Sequence, residues 1–251
     1  MKAEEQVEGV ERFLNLETRS RVLDLCCGEG GRTIELARRG HRVLGLDPDE
    51  RELARARAAA RGERLNVHFA KADPRAIPYR ADFDAILCLG GAFGRLPTDR
   101  DDLRALESAR KALKPGGWLM LDVLNKEWLM RHFEANAWER GEGRRGAVVL
   151  DQVTFDFERG RLDNRRTIVA PDGRRTPAPQ SVRIYALTEL KAQIERAGLD
   201  YRRCWGGFDG SAYGMDSPRL IALAQRPRED ARPRRAPDDG LPKAIRIKGR
   251  R

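Results

Sequence analysis

The segment VLDLCCGEGG, residues 22–31, most constrains how this chain can fold, because an apolar run passes there directly into glycine-rich sequence. The run RVLDLCC is typical of a buried parallel strand, and the residues from Thr33 to Arg39 suit a helix. Gly28 and Gly30 permit a tight turn between the two and let a ligand come close to the backbone. The free N–H groups at the start of the helix would favour a carboxylate or a phosphate.

Strands and helices continue to alternate after this turn. A short amphipathic helix is predicted before the first strand, from about Glu4 to Leu16, and further helices from about Glu50 to Arg61 and from about Asp101 to Leu113. Between them lie apolar runs of strand length: HRVLGLD, LNVHFAKAD, DFDAILCLG and GWLMLDVLN. Five strands that alternate with helices predict an α/β fold with a doubly wound, mostly parallel, Rossmann-like sheet.

The pattern changes after the fifth strand. From about residue 147 to 185 the segments VVLDQVTFDF, LDNRRTIVA and QSVRIYAL are separated by the turns ERGR and PDGR, which predicts a small antiparallel insertion. A helix from Thr188 to Ala197 and the runs YRRCWGGF and RLIALAQR would then complete a sheet of seven strands. We therefore expect one main domain over residues 1–225.

Much of the formal net charge of +10 comes from the end of the chain. Residues 226–251 hold ten Lys and Arg against four Asp and Glu, an excess of six positive charges, and few large apolar residues. Such a composition predicts a disordered basic tail. We favour a solubilising role for it, and the alternative is weak electrostatic contact with nucleic acid or an acidic partner.

Composition also bears on location and on cysteine chemistry. No apolar run approaches the ~20 residues of a membrane-spanning helix, and the first fourteen residues lack the features of a secretory signal. We expect a cytoplasmic protein without membrane contact. Cys26, Cys27, Cys88 and Cys204 contain no CxxC pair, so neither a disulfide framework nor a metal site is predicted.

Asp47 ends the predicted second strand, roughly twenty residues after the glycine turn, where a carboxylate can accept both hydroxyls of an adenosine ribose. This spacing indicates a nucleoside cofactor. The dinucleotide fingerprint G-x-G-x-x-G is broken because Thr33 stands at its third glycine position, which argues against NAD. The chain also has no GxxxxGK[ST] loop, so nucleotide triphosphate hydrolysis has no support.

VLDLCCGEGG followed by GLD resembles the motif of class I methyltransferases that binds S-adenosylmethionine (SAM). The resemblance continues in order through KAD, DFDAILCLGGAFG, LKPGG and YALTELKAQIERAGL, and covers about residues 21–225. It implies SAM as the cofactor. The antiparallel insertion is similar to the one in small-molecule N-methyltransferases that act on amino sugars and glycine-like amines.

The resemblance also implies a role for individual residues. Asp24 and the turn Gly28–Gly30 would hold the amino-acid end of SAM, and Asp47 would bind its ribose. Asp73 would bind the adenine amino group. The remaining cofactor-binding candidates border the methionine, the sulfonium or the turn itself, and they are Leu89, Gly90, Cys26 and Pro48.

Each candidate has a structural alternative. Asp24 could have a purely structural role, in which it accepts hydrogen bonds from the backbone amides of the turn, and Asp47 could cap the next helix. Asp73 precedes a proline and could be an ordinary turn residue. Cys26 and Cys27 suit small fillers at a strand end better than nucleophiles, because no activating His lies close in sequence.

The acceptor should approach the carboxyl ends of the strands, near Asn125, Trp128, His132 and Tyr185. His132 could take a proton from it, although a surface position on the helix EWLMRHF is an equal alternative. We predict methyl transfer to a small-molecule N or O acceptor. The alternatives are methylation of RNA or protein, suggested by the basic tail, and a SAM-binding scaffold without turnover, suggested by the short segment before the first strand.

Overall fold

The computed structural model describes residues 2–63, 65–140 and 146–228 of the 251-residue chain. A large sheet of seven strands is flanked by helices, and a smaller antiparallel sheet is inserted after the fifth strand. In chain order the elements are α1 (Ala3–Leu14), β1 (Arg21–Leu25), α2 (Gly31–Arg38), β2 (Arg42–Asp47), α3 (Glu50–Ala60), β3 (Val67–Lys71), β4 (Phe83–Cys88), α4 (Asp99–Ala112), β5 (Leu113–Leu124), α5 (Lys126–Arg131), β6 (Asn136–Arg140), β7 (Val148–Asp156), β8 (Arg161–Asn164), β9 (Thr167–Val169), β10 (Arg175–Pro177), β11 (Gln180–Arg183), α6 (Leu187–Arg196), β12 (Asp200–Trp205) and β13 (Arg219–Gln225).

The strands of the large sheet follow the order β12-β13-β5-β4-β1-β2-β3. β1 to β5 are parallel, and β13 runs antiparallel to both β5 and β12. The order of the strands reverses at β1, which pairs with β2 on one side and β4 on the other. In an open sheet of this kind the crevice at such a reversal is the usual place for a ligand.

The central strands form because their residues are buried on both faces. Alternate side chains of β1 enter different cores: Leu23 packs with the core that includes α4 and α6, and Val22 with the core that includes α1 and α2. Helix α3 begins where the Asp49 carboxylate accepts a hydrogen bond from the Arg51 N–H, at 2.8 Å. Burial of apolar strands between two layers of helices accounts for the parallel arrangement.

The inserted sheet is organised around β7. Its first half lies between β6 and β9, and its second half pairs with β8, which in turn pairs with β11. Strand β10 extends the sheet beyond β9. All of these pairings are antiparallel, as the turns in the sequence indicate.

These features confirm the predicted fold class, an α/β sheet of seven mostly parallel strands with an antiparallel insertion. The inserted sheet differs in extent, because β6 pairs with β7 although it precedes residue 147. The segment LDNRRTIVA is divided into β8 and β9, and the short β10 follows the turn PDGR. The division into residues 1–225 and a tail stays a prediction, and positions 229–251 lie outside the described residues.

No helix in the described ranges is long and apolar enough to cross a membrane.

The insertion is held against the loop that follows β4. Arg183 N–H donates a hydrogen bond of 2.7 Å to the Gly94 carbonyl oxygen, and the buried Arg161 donates one of 3.1 Å to the Leu96 carbonyl oxygen. Gly94 has a φ of +91°, and a Cβ atom there would overlap the Arg183 carbonyl oxygen. The loop therefore fits the insertion only without a side chain at residue 94.

Substitution Gly94→Ala tests this packing. We expect it to lower the free energy of unfolding by about 3 kcal/mol, because backbone strain at a positive φ adds to a steric overlap. Gly173→Ala is the matched control: Gly173 has a φ of +81° with no atom within 4 Å of the added Cβ, and strain alone should cost about 1 kcal/mol. Equal losses in chemical denaturation would contradict the proposed packing.

Candidate functional site

A cavity of about 1110 Å³ opens at the carboxyl ends of β1, β2 and β4. The turn after β1 forms one wall, the end of β2 another, and residues 88–90 and 92–96 a third. Ala3 and Gln6 of α1 also line it, so the first helix covers part of the opening. The cavity lies where the sheet order reverses, as expected for a ligand site in this architecture.

The turn after β1 combines unusual backbone angles with close packing. Cys26, Gly28 and Gly30 all have a positive φ, of 58°, 57° and 77°. A Cβ at Gly30 would lie 2.8 Å from Ala56 Cβ and from the Phe69 ring, so a larger residue does not fit there. Helix α2 begins directly afterwards, and its first two residues, Gly31 and Arg32, line the cavity.

The Asp47 carboxylate fastens this turn to the end of β2. One of its oxygens accepts a hydrogen bond of 2.9 Å from the Gly28 N–H, and the other accepts one of 2.8 Å from the Asp49 N–H. Asp47 is buried and lines the cavity next to Pro48. Each oxygen keeps acceptor capacity for a ligand hydroxyl, because a carboxylate oxygen can accept two hydrogen bonds.

Asp24 is fully buried and is not part of the cavity wall. Its Oδ2 accepts a hydrogen bond of 2.7 Å from the Thr33 hydroxyl, and its Oδ1 lies 3.9 Å from Arg32 Nε. Burial raises the pKa of Asp24, and the nearby Arg32 guanidinium opposes this shift. The structure thus places Asp24 behind the turn, where it supports the first residues of α2.

Asp73 follows β3 and lines the cavity, and its carboxylate is already hydrogen-bonded within the protein. It accepts hydrogen bonds from the Arg75 guanidinium at 2.7 Å and from the Arg75 N–H at 2.8 Å. These hydrogen bonds hold the pKa of Asp73 below its ordinary value. Asp73 therefore starts the short turn that follows β3 and is ionised at neutral pH.

The loop after β4 is held in place by Asp122, a residue that the sequence analysis did not single out. The buried Asp122 of β5 accepts a 2.8 Å hydrogen bond from the Gly90 N–H through Oδ2, and its carbonyl oxygen accepts one of 3.0 Å from the Gly91 N–H. Arg219 of β13 approaches Oδ1 to within 2.6 Å. A charged residue inside the apolar run WLMLDVL was the available signal, because a buried carboxylate needs partners.

Leu89 and Gly90 lie on the cavity wall, with Gly90 at a φ of +71°. His132 is not among the residues that line the cavity. It is exposed at the end of α5, its ring is stacked on Trp128, and its Nδ1 lies 2.9 Å from the Trp128 carbonyl oxygen. The structure therefore does not bring His132 together with the predicted cofactor-binding residues.

Asn125 and Tyr185 are buried and hold neighbouring segments in place. The Asn125 carboxamide accepts hydrogen bonds at the start of α5 and donates to the carbonyl oxygens of Gly214 and Ser217.

In the described ranges no group of three His, Cys, Asp or Glu could hold a metal ion.

The sequence of this cavity-forming region matches a known family. Residues 22–117 match the sequence model of the family described as "Methyltransferase domain". Solved structures are similar in fold over most of the chain. The CcbJ methyltransferase from Streptomyces caelestis aligns with 90% of this chain and 89% of its own, at a TM-score of 0.78 and 20% sequence identity. The chain has the class I methyltransferase fold.

Curated relatives are similar to this chain over part of their length. A ubiquinone biosynthesis O-methyltransferase from Hydrogenovibrio crunogenus is 28% identical over 49% of this chain and 50% of its own length. A glycine/sarcosine N-methyltransferase from Parasynechococcus marenigrum is 32% identical over 57% of this chain and 50% of its own length. The match thus spans half of each of these two proteins.

A second solved structure, SAM-bound CalS10, an amino pentose methyltransferase from Micromonospora echinaspora, has a TM-score of 0.67 and 24% identity, with 89% of both chains covered. CalS10 shares the fold of this chain, and the family match supports a methyltransferase as the class of enzyme.

The cavity is also bordered by a buried carboxyl group that sequence reasoning did not single out. Asp102 of α4 borders the cavity and accepts a 2.8 Å hydrogen bond from the Tyr185 hydroxyl. Burial raises the pKa of Asp102 to about 6, and the hydrogen bond from Tyr185 partly opposes the shift. Its other oxygen has no hydrogen-bond partner among the described residues.

Asp102 should make stability depend on pH. The folded protein keeps the Asp102 proton up to about pH 6, whereas the unfolded chain loses it near the ordinary value of 3.8. The folded state therefore binds more protons in this range, and the free energy of unfolding should fall as pH rises from about 4 to 6, by at most about 3 kcal/mol from this group. Asp102→Asn should remove this contribution.

Denaturation curves between pH 4 and 7 would measure the difference in slope between the two proteins. The neighbouring Asp101 is the control, because hydrogen bonds from Thr98 and Arg75 lower its pKa. Asp101→Asn should leave the slope above about pH 5 unchanged, because Asp101 has lost its proton there in both the folded and the unfolded state. Identical slopes for wild type and Asp102→Asn would show that Asp102 is ionised in the fold.

Proposed function

We propose that this chain transfers the methyl group of SAM to a small-molecule N or O acceptor. The observation that carries the proposal is the buried Asp47 carboxylate, which spans the glycine turn and the start of α3 at the edge of a large cavity. A carboxylate so placed can accept the two hydroxyls of a ribose. The family match over residues 22–117 supports the same assignment.

The remaining cavity residues fit the other parts of SAM. The turn Gly28–Gly30 and the first N–H groups of α2 would meet the amino-acid end, and Asp73 would face the adenine amino group. Cys26, Pro48, Leu89 and Gly90 would form the walls of the site. The positive φ angles at Gly28 and Gly30 support close contact between SAM and the main chain, because glycine adopts these angles without strain and has no side chain to keep a ligand away.

When bound, SAM supplies an electrophilic methyl group on a sulfonium with a good leaving group. The protein then has mainly to position the acceptor and to exclude water. Asp122 fixes the Gly90–Gly91 backbone in one position at the cavity wall, and α1 covers the opening through Ala3 and Gln6. An amine acceptor must reach the methyl group without its proton.

The type of acceptor is proposed from two kinds of observation. Relatives include both an O-methyltransferase and an N-methyltransferase of small molecules. The inserted antiparallel sheet contacts the loop after β4, which borders the cavity, through Arg161 and Arg183. We assign the insertion to the acceptor side of the site, and a small amine is the first acceptor to test.

Calorimetric titration with SAM and with S-adenosylhomocysteine tests the cofactor site without knowledge of the acceptor. We expect micromolar affinity, about 8 kcal/mol, and a loss of at least about thirtyfold in Asp47→Ala, because the ribose loses two charge-assisted hydrogen bonds. Asp49→Ala is the matched control in the same loop, since Asp49 does not line the cavity. Wild-type protein that binds neither ligand would refute the proposal.

Transfer of a labelled methyl group to a panel of small amines, hydroxyl compounds and RNA then tests the reaction itself. Transfer to a small molecule supports the proposal. Tight binding of SAM without transfer to any of them would favour a scaffold role, and salt-sensitive transfer to RNA would favour the nucleic-acid alternative.

His132 is tested with the acceptor that this panel yields. We expect His132→Gln to leave kcat within about twofold, because the imidazole is stacked on Trp128 outside the cavity lining and cannot reach an acceptor there. A fall of about a hundredfold, with loss of the acidic limb of the pH profile, would instead establish His132 as the proton acceptor.

A further inference from the structure

The loop after β4 contributes a cation to the cavity for which the proposed function gives no role. The cationic side chains that line the cavity are Arg32, Lys71, Arg75 and Arg95. Arg75 is paired with the carboxylates of Asp73 and Asp101, at 2.7 and 3.0 Å. Arg32 lies 3.9 Å from the buried carboxylate of Asp24. Lys71 ends β3 beside Asp47, on the ribose side of the proposed cofactor site.

Arg95 differs from the two other arginines because it has no ion pair within the described part of the chain. Its Nε donates a hydrogen bond of 3.0 Å to the Gly91 carbonyl oxygen. Gly91 is itself fixed, since its N–H donates one of 3.0 Å to the Asp122 carbonyl oxygen. An arginine that uses Nε in this way keeps two Nη groups, which can donate two parallel hydrogen bonds to one anionic group.

The main chain on both sides of Arg95 is held by the inserted sheet. The Gly94 carbonyl oxygen accepts a hydrogen bond from the Arg183 N–H at 2.7 Å, and the Leu96 carbonyl oxygen accepts one from Arg161 at 3.1 Å. Arg95 therefore lies where the cavity wall meets the insertion, on the side that we assign to the acceptor. Because its backbone and its Nε are already held, the side chain loses little conformational freedom when a ligand binds.

We propose that Arg95 binds an anionic group of the methyl acceptor, a carboxylate or a phosphate, so that the acceptor is an acidic small molecule. This inference rests on the proposed function. A guanidinium forms two charge-assisted hydrogen bonds with either anion, and these are roughly twice as strong as hydrogen bonds between neutral groups. Arg95 is exposed at the cavity wall, so neither charge of such a pair would be fully desolvated.

The alternative is that Arg95 is a solvated side chain whose hydrogen bond to Gly91 only closes the loop. Arg100 is a surface arginine of that solvated kind, because it is exposed at the start of α4 and does not line the cavity. It lies five positions further along the chain and carries the same charge. Arg100→Gln is therefore the matched control for Arg95→Gln.

The test compares pairs of small amines and hydroxyl compounds in which one member carries an anionic group. The pairs are β-alanine with β-alaninamide, glycolate with glycolamide, and phosphoethanolamine with ethanolamine. Each compound is titrated calorimetrically into protein saturated with S-adenosylhomocysteine, so that binding is measured without turnover. The first two pairs report on a carboxylate and the third on a phosphate. Wild type is compared with Arg95→Gln, Arg95→Lys and Arg100→Gln.

We expect wild type to bind at least one acidic compound about tenfold more tightly than its neutral partner, and Arg95→Gln to lose this preference. Arg95→Lys should keep part of it because the charge remains, and Arg100→Gln should behave as wild type does. The preference should weaken as salt is added, since an exposed ion pair is screened. Affinity for S-adenosylhomocysteine should stay within about twofold in every variant, which shows that each protein is folded.

A wild type without preference in any pair would overturn the proposal, as would a preference that survives in Arg95→Gln. Equal losses for the acidic and neutral compounds would also overturn it and assign Arg95 to support of the loop. A wild type that does not bind S-adenosylhomocysteine would refute the proposed function and this inference together. That outcome is separate from the others, because the cofactor titration comes first.

Discussion

The hydrogen bond between the Gly28 N–H and the Asp47 carboxylate joins two walls of the cavity that we propose as the cofactor site. It links the turn that follows β1 to the end of β2, and the adjacent Cys27 N–H donates to the Leu46 carbonyl oxygen at 3.1 Å. Gly45 permits this approach, because a Cβ there would lie 2.9 Å from Cys27 Sγ. A ligand that binds Asp47 therefore meets a turn whose position is already set.

A second carboxylate has a comparable role on the other side of the crevice. Asp122 receives the N–H group of Gly90 on its side chain and that of Gly91 on its carbonyl oxygen. Arg219 compensates its charge from the antiparallel strand β13. The last strand of the sheet thereby contributes to the shape of the cavity, although its own residues do not line it. Fixed backbone on both sides reduces the reorganisation needed when a ligand binds.

The parallel half of the fold could be predicted because local and tertiary requirements agree there. Apolar runs such as RVLDL and RVLGLD suit strands buried on both faces, and the glycine turn needs residues that tolerate a positive φ. The same reasoning singled out Asp47, which lines the cavity, and its binding of a ribose stays a prediction. Sequence reasoning could not predict that Asp24 lies outside the cavity wall. Spacing along a strand does not tell which buried carboxylate faces a ligand. Asp122, Arg219 and Arg32 escaped notice because their partners are distant in sequence or missing.

The inserted sheet, which we propose as the acceptor side, was harder to predict from the sequence for a physical reason. The inserted strands are short and half-buried, so their patterns are weak, and β6 precedes the segment whose alternation is visible. The inserted sheet contacts the cavity wall through the backbone carbonyl groups of Gly94 and Leu96. Because every residue has such a carbonyl group, the sequence gives no sign of this contact. Arg161 makes that contact from within the insertion, and its guanidinium also bonds Ser181. Changes in the insertion can thus reach the cavity wall through Arg161 and Arg183 without altering the residues around Asp47.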